Sequence, residues 1–142
     1  MALTRLDGRL LNPGIFFSRA AAVAGRVDAS TDTIVVYHAG TKCVYKRDAT
    51  GTALPMADGS KWSPLQADET RPEHFGAVGD GSSDDTAEIQ AAIDYLESQA
   101  GGVLHCTNSN YRVTGTITIA SDNIEIRGIG KGSLDATASH SR

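Results

Sequence analysis

Long apolar runs are missing from this 142-residue chain. The longest, Ala20 to Ala24 and Ile34 to Tyr37, fall far short of the ~20 residues needed to cross a bilayer. Membrane insertion is therefore not expected. Arg5 and Arg9 lie near the N-terminus, but no apolar core of about 7–15 residues follows them, so a cleaved secretory leader is not expected either. Basic clusters are also lacking. Thirteen Lys and Arg are scattered among seventeen Asp and Glu, for a net charge of −4. No stripe exists that would track a phosphate backbone, and nucleic acid is a poor partner. Cysteine is scarce: Cys43 and Cys106 fit no metal spacing and read as free thiols of a protein made in a reducing cytosol. Aromatics make up only 6% of the chain while glycine is plentiful, which suits a turn-rich β protein better than a helical bundle.

What is present reads in two parts. Residues 1–63 are expected to form a small, mostly β module. Its first third is irregular apart from a short helix in "SRAAAVAGRV", with Ser18 as N-cap and Gly25 as stop. "DTIVVYHAG" and "KCVYKRD" are rich in β-branched and alternating residues, and predict a hairpin turning at His38 to Thr41. Asp58-Gly59 predicts a second turn before Lys61-Trp62. The segment 64–73, with Pro64 and Pro72, predicts a linker.

From His74 onward the character changes. "HFGAVGDGSSDD" is acidic and glycine-rich, and an apolar-periodic run follows. Ile89, Ala92, Ile93, Leu96 and Ala100 fall on one face of a helix expected from Asp84 or Asp85 to Ala100. Asp85 with Glu88 reads as a capping box, and Asp84 and Asp85 lie at the positive end of the helix dipole. Gly101-Gly102 predicts the left-handed stop. Short strands are then expected in "GVLHC", "YRVTG", "TITIA" and "NIEIRGIG". Polar turns without hairpin dipeptides separate them, which favours rungs coiling in parallel over a meander. The last stretch, "KGSLDATASHSR", has no periodicity and is expected to fray.

Each cluster of reactive side chains has a structural role that competes with a chemical one. Asp80, Asp84 and Asp85 around Gly81 resemble a calcium loop only superficially, because position twelve from Asp80 is Ala91 rather than glutamate. Gly76, Gly79 and Gly81 do not make a dinucleotide fingerprint, and the loop has no phosphate-binding lysine. Glu73-His74 together with the three aspartates could supply acid–base chemistry, but carboxylates at a helix start already have a structural duty. His38, His105 and His140 stand alone, and a core or surface role is expected for each. No Gly-x-Ser-x-Gly is present. The sequence assigns no catalytic, cofactor-binding or metal-ligating residue.

"HFGAVGDGSSDDTAEIQAAID" (74–94), then "GGVLHC", "YRVTGTITI" and "NIEIRGIG", resembles the opening of pectate-lyase-like right-handed parallel β-helix proteins, phage tailspikes and capsule depolymerases in particular. The likeness covers residues 74–130, with His74 where the family commonly has aspartate. Residues 45–65 are more loosely similar to the β module preceding that helix. The resemblance implies a mainly β fold with one capping α-helix: an N-terminal virion-anchoring β module (1–63), a linker (64–73), and the helix-capped first rungs of a parallel β-helix (74–142). Ile117, Ile119, Ile124 and Ile126 would begin the stack under the helix. It further implies a virion structural protein made in the host cytoplasm. That protein would be a homotrimer contacting phage tail or baseplate proteins, and bacterial surface polysaccharide through later residues. The alternative it implies is a β-helix polysaccharide lyase or glycoside hydrolase, whose catalytic groups would lie beyond Arg142.

Overall fold

The computed structural model describes residues 14–66, 69–108 and 110–128, together with the backbone of 4–6, 9–11 and 134–136. The described chain is mainly β, with few helices, and divides into two compact units, Met1–Leu65 and Gln66–Arg142.

In the first unit, strands β1 (Thr4–Leu6) and β2 (Arg9–Leu11) pair antiparallel. This pairing departs from the irregular segment expected here, although Asp7-Gly8 in the sequence between the two strands is a hairpin signal. Strand β3 (Ile15–Phe16) follows, then helix α1 (Arg19–Val23), with the Ser18 hydroxyl accepting the Ala21 N–H at 3.1 Å. Next come β4 (Thr33–His38), β5 (Thr41–Arg47), β6 (Leu54–Pro55) and β7 (Lys61–Pro64). They form one sheet in the order β3-β4-β5-β7-β6, parallel only between β3 and β4. The β4–β5 hairpin turns at Ala39-Gly40, both with positive φ, as a two-residue connection requires. Its register sets Ile34 opposite Tyr45 and Val36 opposite Cys43, all four buried with Trp62 and Leu54. Alternation along the two strands thus buries one face.

The second unit is built on parallel pairing. A 3-10 turn (Pro72–Phe75) leads through Gly76 to β8 (Asp80–Asp84), then to α2 (Thr86–Ser98). Strands β9 (Gly102–Cys106), β10 (Asn110–Val113), β11 (Ile124–Gly128) and β12 (Leu134–Ala136) follow. One sheet has the order β8-β10-β12 and the other β9-β11, with every pair parallel. Strand β11 lies on β9 without a break in register, from Ile124 beside Gly102 to Gly128 beside Cys106, so each residue meets the one 22 positions earlier. Thr70 adds a parallel bridge to Leu104 on the other side of β9. Of the segment read as a linker, Pro64 therefore closes β7, Thr70 is buried against Leu104, and Pro72 and Glu73 are buried in the 3-10 turn.

Helix α2 lies where its periodicity predicts. Ile89, Ala92, Ile93 and Leu96 are buried, joined by Tyr95, whose ring tilts against Phe75 at 5.8 Å. The helix packs on the 3-10 turn, β9 and β11, and Leu104, Cys106, Tyr111, Val113 and Ile117 are also buried in this unit. The expected isoleucine stack is only partly realised: Ile119 and Ile124 are half-buried, and Ile126 is 37% exposed. Ile126 is the register partner of the buried Leu104.

Four further expectations need correcting. Asp80–Asp84 is a strand rather than a turn, pairing with β10 through an irregular register (Asn110 with Asp80, Arg112 with Asp84). "TITIA" forms no strand, because the helix satisfies its backbone instead. Gln90 accepts the Thr118 N–H at 2.8 Å and donates to the Thr118 carbonyl at 3.0 Å. Glu97 accepts the N–H groups of Ala120 and Ser121. Residues 134–136, expected to fray, pair with β10. The left-handed residue ending α2 is Ala100 (φ 66) rather than a glycine. Ala100 N–H reaches Glu97 O and Gly101 N–H reaches Leu96 O, the two bonds of a Schellman motif. Gly101 is needed for a different reason, since a Cβ there would lie 2.5 Å from the Asn123 Cβ.

Two substitutions test this packing. Ile93→Ala should lower unfolding free energy by roughly 2–5 kcal/mol, the range for emptying a sealed aliphatic site, read from denaturant melts. Ala100→Gly should raise it by about 0.5–1 kcal/mol, because relief of the left-handed strain exceeds the added chain entropy. A neutral or destabilising Ala100→Gly would mean that Ala100 is not held at positive φ.

Candidate functional site

The acidic loop is fully occupied with its own backbone. Asp80 accepts the N–H groups of Ser82 (2.8 Å) and Ser83 (2.7 Å), a local turn-forming pattern. Asp84 accepts the Thr86 N–H at 3.1 Å and the hydroxyls of Thr86 and Thr114, tying the helix start to the end of β10. Asp85 is buried and does not cap the helix with its side chain. Its carboxylate turns back instead and accepts the N–H groups of Val78 (2.7 Å) and Gly79 (3.1 Å). The expected capping box of Asp85 and Glu88 is therefore replaced: Asp84 holds the first helical N–H, and Asp85 holds the preceding loop. Gly79 sits at φ 65 with Asn108 so close that a Cβ would meet its Cβ at 2.5 Å.

Glu73 and His74 also serve structure. The Glu73 carboxylate is wholly buried and accepts hydrogen bonds from the Tyr111 hydroxyl and from Asn108 Nδ2 at 2.9 Å. Burial first, then the hydrogen bond to Glu73, pushes the Tyr111 phenol well above its usual range. Burial, with the Glu73 charge nearby, lifts the Cys106 thiol to about 12, far from nucleophilic use. His74 Nδ1 accepts the Arg71 N–H at 3.1 Å, so the imidazole serves as an acceptor at the start of the 3-10 turn. Cys43 is likewise a buried thiol in no disulfide. His38 closes β4, half-buried, and His140 lies outside the described residues. Among the described residues, no group of three His, Cys, Asp or Glu is arranged to hold a metal ion. No described helix is long and apolar enough to cross a membrane.

The open polar surface lies elsewhere, on the outward face of β9 and β11. Glu69, Arg71, Val103, His105 and Arg127 line a cleft of about 410 Å³. Leu104 and Cys106 point inward and are buried, so alternation turns Val103 and His105 outward. The register sets His105 beside Arg127 and Val103 beside Glu125. Arg127 pairs with Glu125 at 2.6 Å, both side chains more than half exposed. His105 was read from the sequence as a lone histidine. The signal that could have placed it is the 22-residue match of "LHC" to "IRG", which aligns His105 with Arg127. Nothing in the sequence brings Arg71 alongside, because that placement rests on the single bridge at Thr70.

The loop makes two predictions. Asp85→Ala should cost roughly 2–4 kcal/mol, since two N–H groups lose their acceptor away from water. A loss near that of a simple helix cap, about 1 kcal/mol, would argue against the turned-back carboxylate. Asp84 is held down to about 2 by the Thr114 and Thr86 hydroxyls and the Thr86 N–H. Its folded value lies below the unfolded one of about 3.9, so its contribution is present above pH ~4 and is lost as pH falls through ~2. Denaturant midpoints across that window should fall less steeply in Asp84→Asn than in the parent.

No family model matches the chain. In sequence it is similar to alginate-modifying enzymes of Azotobacter vinelandii. Mannuronan C5-epimerase AlgE3 is 48% identical over 65 aligned residues, 41% of this chain and 4% of that one. Alginate lyase 7 is 42% identical over 64, again 41% of this chain, and 8% of that one. In fold the chain is similar to the full-length tailspike protein 2 of an Escherichia coli O157:H7 bacteriophage, with a TM-score of 0.55 and 25% identity over 82% of this chain and 16% of that one. It is equally similar to the enzymatically active domain of bacteriophage CBA120 tailspike protein 2, with a TM-score of 0.54 and 25% identity over 82% of this chain and 18% of that domain. The chain thus spans a small part of every relative named.

Proposed function

We propose that this chain is the leading part of a phage tailspike that engages bacterial surface polysaccharide. Residues 74–142 would be the helix-capped start of a right-handed parallel β-helix. Residues 1–63 would be a β module that holds the spike on the tail or baseplate. The observation that carries this reading is the unbroken 22-residue parallel register of β11 on β9 beside α2. Coiled parallel rungs under a helical lid account for it directly. The fold likeness to a tailspike over 82% of the chain supports the same assignment.

A homotrimer in the virion is part of the proposal. Phe17 is 82% exposed and stacks on the half-exposed Tyr37 with ring centroids 5.9 Å apart, an apolar surface beyond what the first unit needs for its own core. A second reading makes the chain part of a polysaccharide lyase or glycoside hydrolase rather than an attachment device. The equal match to an enzymatically active domain favours that alternative.

Sedimentation equilibrium of the chain, alone and with purified tail components, tests the first reading. It should show a trimer that binds a tail protein, and deletion of residues 1–20 should abolish incorporation into virions while leaving the helix folded. A monomer that ignores tail components, in a parent protein that releases reducing or unsaturated ends from capsule, would favour the second.

A further inference from the structure

We infer that the outward face of the first unit's sheet docks on the acidic second unit of a neighbouring copy of this chain, in a heterologous contact that closes as a ring. This deepens the homotrimer proposed above and rests on it. Strand β4 gives the first sign. Its run Ile34-Val35-Val36-Tyr37 is apolar at every position, the pattern of a strand buried on both faces, whereas a strand with one wet face alternates. Helix α1 packs on the inner face, where Arg19 reaches the Tyr45 hydroxyl at 3.4 Å and the Ala53 carbonyl at 2.6 Å. The outer face is apolar as well. Val35 and Tyr37 alternate with the buried Ile34 and Val36 and so point outward, and Val44 lies beside Val35 in the register. The Leu65 N–H bonds to the Val44 carbonyl at 3.0 Å and extends this row with an exposed side chain. Phe17 continues from β3 to stack on Tyr37, the two ring planes 9° apart.

Charge decides which surface fits this face. Lys42 lies opposite Tyr37 and Lys46 opposite Thr33, both exposed, while β3, β4 and β5 contain no Asp or Glu. Two such faces brought together would set lysines against lysines, which disfavours the isologous contact of a two-fold dimer. The second unit has the opposite character. The first unit holds eight Lys and Arg against five Asp, a net charge of +3. The second holds five Lys and Arg against twelve Asp and Glu, a net charge of −7. It also exposes apolar side chains, Val78 and Ile126. The complement to the basic, apolar face is therefore the second unit of another copy. A face that meets a different surface makes a heterologous contact, and a closed assembly of such contacts is a ring.

Sedimentation equilibrium of the full chain, over a range of concentration and salt, tests this. The parent should form a trimer that weakens as salt rises. Phe17→Ser combined with Tyr37→Ser should raise the concentration of half-assembly about ten-fold or more. Val23→Ser, at an exposed position on α1, should leave it unchanged. Phe17 and Tyr37 are both exposed, and melting curves report that the fold persists without them. A second variant, Lys42→Glu with Lys46→Glu, is then mixed in equal amounts with the parent. In a heterologous contact every altered face repels the acidic unit it must meet, so the mixture assembles less tightly than the parent alone. In an isologous contact lysine would meet glutamate and the mixture would assemble more tightly, which overturns the proposal. A trimer that persists unchanged in the Phe17→Ser, Tyr37→Ser variant also overturns it, and leaves the trimer itself standing. A parent chain that stays monomeric removes the homotrimer, and this inference with it.

Discussion

A single buried carboxylate organises the start of the second unit. Asp85 accepts two successive backbone N–H groups, those of Val78 and Gly79, while its own N–H reaches Arg112 O at 2.8 Å and its carbonyl accepts the Ile89 N–H. One residue thereby fixes three things: the return of the glycine loop, the attachment of β8 to β10, and the first turn of α2. A buried charge is tolerated only when its lone pairs are taken up, and here the backbone takes them. Because the loop is fixed, β8 can end where α2 begins, and the apolar face of α2 meets the strands at a defined place.

How much of this was legible in the sequence depended on whether the partner was local. The helix was legible, since Ile89, Ala92, Ile93 and Leu96 repeat with its period and its partners form a continuous face. Strands β9, β10 and β11 were legible from alternation and polar turns. Asp85 was misassigned because a capping rule looks only forward along the helix, whereas its donors lie six and seven residues back. "TITIA" alternates like a strand and is not one, because Gln90 and Glu97 reached its backbone first. Strand β12 is too short to carry a period, and only its neighbour β10 defines it. The cleft lay outside local reasoning, since its three basic residues come from segments separated by tens of positions.

The comparisons and the geometry point the same way from different directions. Sequence likeness to alginate-modifying enzymes covers 41% of the chain, and fold likeness to a tailspike covers 82%. Loop and helix chemistry shared between such proteins need not carry a shared reaction, because function resides in sites grafted on folds. In this chain Asp80, Asp84, Asp85 and Glu73 are engaged in hydrogen bonds that hold the fold. The cleft on the outward face of β9 and β11 is lined by other residues, Arg71, His105 and Arg127 among them.

Helix α2 also acts as a barrier to unwanted sheet growth. An unpaired strand edge is a template on which another chain can add. Along 118–121, three N–H groups and one carbonyl are already taken by Gln90 and Glu97, side chains that offer no onward ladder. Hydrogen bonding therefore stops at the helix instead of passing to a stranger. The second unit, whose strands pair in parallel, is thus closed along this stretch by two ordinary polar side chains.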